Sequence, residues 1–99
     1  MTALPDVESA RAIARALVDR RLAACVTIGA AVESMYHWQG TIETAREIQL
    51  TAKTRDTLFD DVATAIRGLH PYELPEIVAV PIHRGQRDYL DWIDAGTRA

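Results

Sequence analysis

His70, Tyr72, Glu73 and Glu76 lie close together in the run LHPYELPEIVAV, with Pro71 and Pro75 set among them. An imidazole near carboxylates can hold a divalent metal, act as a general acid or base, or cap a helix end. The two prolines restrict the loop and keep such side chains in place. A structural role competes with these: His70 could bond the free carbonyls at the end of a helix, and Tyr72 could rest on the core edge with its hydroxyl in water. The metal spacings of high specificity are absent, with no Cys-x-x-Cys and no His-x-x-x-His.

The remaining reactive types add little chemistry. Cys25 sits in LAACV among small apolar residues and reads as a buried, unreactive thiol. His37 adjoins a turn, and His83 lies in a connecting loop. Lys53, at a strand end, could meet an anion. No glycine-rich phosphate loop and no Gly-x-Ser-x-Gly is present, and Ser9 and Ser34 are the only serines, too few for a persuasive triad.

The elements that must position these residues follow from the apolar period. Val7, Ala10, Ile13, Ala14, Leu17 and Val18 recur at three and four, which predicts a helix with Asp6 as its cap and Arg20 and Arg21 in its last turn. From Cys25 to Trp38 the period is two, with Gly29 as a bulge or bend, and alternation returns over 42–54. Gln39-Gly40 between them reads as a hairpin turn. Leu58, Phe59, Val62, Ala63, Ile66 and Leu69 predict a second helix, stopped by Pro71. Residues 77–82 are almost continuously apolar, which predicts a strand covered on both faces, with Pro81 at its end or at an edge. A short helix over 87–95 closes the chain, with Tyr89, Leu90, Trp92 and Ile93 facing inward.

This order predicts an α+β fold: a ferredoxin-like split β-α-β sandwich with an antiparallel sheet, an extra short C-terminal helix, and a first strand truncated or missing. That strand would sit in mid-sheet, and only residues 1–4 stand in its place. Unpaired buried backbone groups cost ~1–3 kcal/mol each, so the gap must be filled. Residues 2–4 could form a stub, the neighbours could close up, or the natural chain could start upstream of Met1. The expectation is the last, with a stub visible here.

The 99 residues suit one domain, 1–99. A net charge of −3 argues against nucleic-acid binding. The single cysteine precludes an internal disulfide, and no apolar run approaches a membrane span. A cytoplasmic setting, with no membrane association, is the expectation. A chain this short buries a modest share of its surface, which favours oligomerisation.

RRLAACV at 20–26, YHWQG at 36–40, KT at 53–54, HPYELPEIVAVPI at 70–82 and DYLDWI at 88–93 together resemble the CutA family of divalent cation tolerance proteins. The resemblance covers nearly the whole chain from Pro5 onward. It implies a ferredoxin-like subunit in a tight homotrimer similar to the PII signalling proteins, with the long strands pairing across copies. It also implies a link to tolerance of copper and other divalent metals, and no catalytic activity. In such a trimer the loop before the last strand would reach a cleft between copies. There His70 and Glu76 are the candidate ligands for Cu(II) or another divalent cation, and Tyr36, Trp38, Lys53, Tyr72, Glu73 and Trp92 would line a ligand cleft. No organic cofactor is expected.

Two departures bear on this transfer. Members carry a full first strand, often with a cysteine near its end proposed as a copper ligand; here Thr2 occupies that place, and Cys25 belongs to a different family position. The function expected is therefore a trimeric metal-responsive binding protein, not an enzyme. A PII-like module for a small anion, using Lys53, is the alternative. Acid–base catalysis by His70 with Glu73 or Glu76 comes third, well behind these two, and a structural trimer that anchors a partner protein comes fourth.

Overall fold

The computed structural model describes every residue, Met1–Ala99. Its elements are β1 (Thr2–Leu4), α1 (Val7–Asp19), β2 (Cys25–Trp38), β3 (Thr41–Lys53), a 3₁₀ turn (Asp56–Leu58), α2 (Phe59–Leu69) and α3 (Arg87–Gly96). The sheet is antiparallel throughout, in the order β1-β3-β2. The first strand is thus a stub, and it pairs with β3 through Thr2↔Leu50, Ala3↔Gln49 and Leu4↔Ile48.

Local chemistry sets the element ends. The Asp6 carboxylate accepts the Ser9 N–H at 2.7 Å, which satisfies one free donor of α1. The helix ends at Asp19, so the arginines lie just past its last turn rather than in it: Arg20 is the C-cap, Arg21 takes the left-handed conformation (φ 57°), and the Leu22 N–H returns to the Leu17 carbonyl at 2.9 Å. Gln39 (φ 51°) and Gly40 (φ 81°) both have positive φ, as a type I′ hairpin turn requires. The register of β2 on β3 shifts between Ile28 and Ala31. A Cβ on Gly29 would lie 3.3 Å from the Gln49 carbonyl oxygen, so the bulge brings backbone close to backbone there.

The core lies between one face of the sheet and α1 and α2. Leu4, Ile48 and Leu50 come from the strands, Ile13 and Leu17 from α1, and Val62 and Ile66 from α2. The ends of the predicted stripes do not reach it: Val18 and Leu69 are each 44 % exposed. Arg55 anchors α3 by donating to the Thr97 hydroxyl (2.9 Å) and to the Asp94 carbonyl.

Two expectations are corrected here. Residues 77–82 form no strand and are not covered on both faces; Val80 is 69 % exposed and Ile82 52 %. The run is extended, yet its only backbone partner is Met1, which exchanges two hydrogen bonds with Val78. One such pair does not make a ladder. In α3 only Ile93 is fully buried. Tyr89 and Trp92 face outward and stack on each other, with ring centroids 5.6 Å apart.

Leu17 is 1 % exposed in the middle of this core. Leu17→Ala is expected to lower unfolding free energy by ~2–5 kcal/mol in a denaturant titration, whereas Val18→Ala should shift the midpoint only slightly.

Candidate functional site

Proline-bounded residues 70–76 leave α2 and turn back over the sheet. His70 is the C-terminal cap of α2: its N–H donates to the Ile66 carbonyl at 2.8 Å, and its backbone is extended ahead of Pro71. Its ring is buried. Nε2 lies 2.8 Å from the Ala3 carbonyl oxygen, and Nδ1 is 3.1 Å from the Tyr72 backbone nitrogen. A carbonyl only accepts and an N–H only donates. Those partners define a neutral imidazole with its proton on Nε2 and its Nδ1 lone pair already used. The ring therefore staples the loop to β1.

Tyr72 continues the chain of contacts. Its ring sits 4.8 Å from that of His70, and its hydroxyl donates to Glu47 on β3 at 2.9 Å. Burial and the Glu47 carboxylate, with smaller contributions from Tyr36 and Asp6, push the phenol up to about 12. Tyr36 thus lies in the field of Tyr72. Glu47 and the Ala3 carbonyl were not among the expected site residues. Alternation places Glu47 on the outer face of β3, but nothing local in the sequence links it to Tyr72.

The other expected residues lie apart within one subunit. Lys53 pairs with Cys25 at one end of the hairpin and donates to the Thr27 hydroxyl at 3.3 Å, while Trp38 pairs with Thr41 at the other end. At ~3.3 Å per residue those ends are tens of ångströms apart. Glu73 and Glu76 are exposed; Glu76 acts on the Met1 ammonium, whose pKa is lowered chiefly by burial. Trp92 is on the outer side of α3. Nowhere in the chain do three His, Cys, Asp or Glu side chains converge as they would around a metal ion. Within one chain His70 and Glu76 belong to no such cluster.

A cavity of about 450 Å³ opens elsewhere, between the ends of β1 and β3, the run 77–82, α2 and α3. Thr2 lines it with a hydroxyl that is buried and has no hydrogen-bond partner.

A short antiparallel sheet, two helices on one face, and an extended proline-flanked run beside a truncated first strand define a ferredoxin-like α+β subunit. Residues 1–96 match the family described as CutA1 divalent ion tolerance protein. The divalent-cation tolerance protein CutA of Thermus thermophilus is 47 % identical over 94 residues, 95 % of this chain and 91 % of that protein. Human protein CutA is 39 % identical over 89 residues, 90 % of this chain and 50 % of that one. The solved structure of the Thermus thermophilus protein superposes with a TM-score of 0.95 at 45 % identity, covering 98 % of this chain and 94 % of the other. A structure from Archaeoglobus fulgidus, described as a periplasmic divalent cation tolerance protein CutA, gives 0.93 at 40 % identity, covering 96 % and 92 %. The chain belongs to the CutA family.

The Tyr72 phenol gives the site a pH signature. Because its folded pKa is raised from 10.0 to about 12, the unfolded chain loses that proton first. Stability should fall as pH rises between those values, and Tyr72→Phe should remove that part of the slope in melting curves at several alkaline pH values.

Proposed function

We propose that this chain works as a homotrimeric divalent-cation tolerance protein whose ligand clefts lie between copies. The observation that carries this reading is the apolar surface left open on one subunit. Val78, Val80 and Ile82 are 47–69 % exposed along one extended run, and Met35 and Ile42, near the hairpin turn, are 69 % and 62 % exposed. Exposed apolar runs of this kind mark interaction faces, and an extended run with free backbone groups favours strand pairing with a neighbour. Family membership supports three copies and the link to divalent cations.

A cleft between copies could bring Trp38 and Lys53 of different subunits towards His70, Tyr72, Glu73, Glu76 and Trp92. Carboxylate oxygens of Glu73 and Glu76 are free to meet Cu(II) or another divalent cation there. His70 would join them only by releasing Tyr72 or Ala3, so the carboxylates carry the metal in this reading and His70 holds the loop. No organic cofactor and no catalytic step is invoked. No helix is long and apolar enough to cross a membrane; the cytoplasm is the proposed compartment, although one relative is described as periplasmic.

The binding of a small anion at the same clefts is the second reading, supported by Lys53, whose ammonium has one long hydrogen bond to Thr27. Anchoring of a partner protein has no observation of its own here.

Light scattering at micromolar concentration should return about three times the 11.0 kDa chain mass, and Val80→Asp should lower it. Calorimetric titration with Cu(II) should show weaker binding for Glu76→Gln than for the parent chain. A monomeric mass would remove the clefts, and an unchanged Cu(II) isotherm would remove Glu76 from the site.

A further inference from the structure

The hairpin face turned away from α1 and α2 carries aromatic and acidic side chains that the core does not use. Residues opposite one another in an antiparallel pair share a face. From Ala31 to Trp38 the register on β3 is unbroken, so Tyr36 stands opposite Glu43, Ser34 opposite Ala45 and Val32 opposite Glu47. Ile48 is in the core, so Glu47 and the residues that alternate with it lie on the other side of the sheet. Trp38, two residues beyond Tyr36, shares that side. Tyr72 reaches it from the loop after α2, with its hydroxyl donating to Glu47 at 2.9 Å.

These side chains make a recess. Its floor is Ser34 and Ala45, both small. Tyr36 and Glu43 stand at one end, Glu47 and Tyr72 at the other. The two glutamates are four residues apart on β3, about 13 Å between Cα atoms at ~3.3 Å per residue. Ser34, Ala45 and Glu47 are half-buried, whereas Glu33, Thr44 and Arg46 on the opposite face are exposed. The taller side chains around the floor therefore cover it in part. The Tyr36 phenol is near enough to Tyr72 to add to the upward push on its pKa, so the two ends act on one another across the floor.

We propose that this recess binds a small organic cation of the alkylammonium class among Tyr36, Trp38, Tyr72, Glu43 and Glu47. Charge sets the sign. No basic side chain shares this part of the face: Arg46 is on the opposite side, and Lys53 is at the other end of the hairpin. The two ion pairs of the chain involve neither glutamate, and Glu47 meets a single hydrogen-bond donor, Tyr72. The walls set the class. Aromatic faces attract cations, and alkylated ammonium ions are the ones that aromatic cages hold. A divalent metal needs several converging oxygen or nitrogen donors, and no three His, Cys, Asp or Glu side chains converge here. A recess with rings along it and a carboxylate at each end suits a larger ion with alkyl groups around its charge. The proposal rests on the cleft reading above for the role of Tyr36, Trp38 and Tyr72, and names a ligand class for them. All five side chains nonetheless come from one chain, and Glu76 and the run 77–82 are not among them. A monomeric mass, or a Cu(II) isotherm indifferent to Glu76, would leave the recess in place.

Tetramethylammonium titrated into the full chain should give saturable NMR shifts at residues 34–36, 43–47 and 72. Tert-butanol, a neutral molecule of similar size, should give none there at the same concentration. Tyr36→Leu and Glu43→Gln should each weaken binding about threefold, and Tyr36→Phe, which keeps the ring, should bind more tightly than Tyr36→Leu. The same titration on Val80→Asp separates the recess from association of copies. Absence of saturable shifts in both the parent and Val80→Asp overturns the proposal. So does equal binding of tert-butanol, or indifference to both Tyr36→Leu and Glu43→Gln. Shifts in Val80→Asp alone overturn it for the assembled protein and assign the recess to the surface between copies.

Discussion

The hydrogen-bonding capacity of β1 is the constraint on which the rest depends. β1 is an edge strand of the sheet and pairs with β3 on one side only. β1 has three residues, whereas β3 has thirteen. Its inner side is fully used against Ile48–Leu50. Its outer side offers Val78 one two-bond pair and offers Ala3 to the His70 ring. The run 77–82 is extended without being a ladder strand, and Val78, Val80 and Ile82 are exposed along it.

One imidazole, that of His70, bridges β1 to the segment after α2. Its two nitrogens are complementary to an acceptor on one side and a donor on the other, which suits the neutral ring. Tyr72 then extends the bridge to Glu47 on β3. The chemistry of imidazole, which on paper suits metal binding, is thus absorbed by packing inside the subunit. Carboxylates at the same loop, Glu73 and Glu76, stay in solvent and keep their ligand capacity.

The open surfaces divide into two kinds. The run 77–82 and the far half of the hairpin present apolar side chains that suit a second copy. The cavity beside β1 is lined largely by apolar side chains, among them Val62 and Ile66 of α2 and Ile93 of α3. The chain buries few of its residues, 18 of 99, as a small domain does.

The sequence by itself determined the local elements, because their causes are local. Period three-and-four marked α1 and α2, period two marked β2 and β3, and Gln39-Gly40, Gly29 and Asp6 marked the turn, the bulge and the cap. It also carried the family, since the phrases around residues 20–26, 36–40 and 70–82 are contiguous. Only the tertiary structure decided which apolar residues are covered. A composition such as that of residues 77–82 states a preference for burial, but burial needs a partner surface, and the fold of the chain places none over Val80 and Ile82. Only it decided the site as well: the His70–Ala3 and Tyr72–Glu47 bonds join residues 67 and 25 positions apart. No local period encodes such a meeting, because it is produced by the chain folding back on itself.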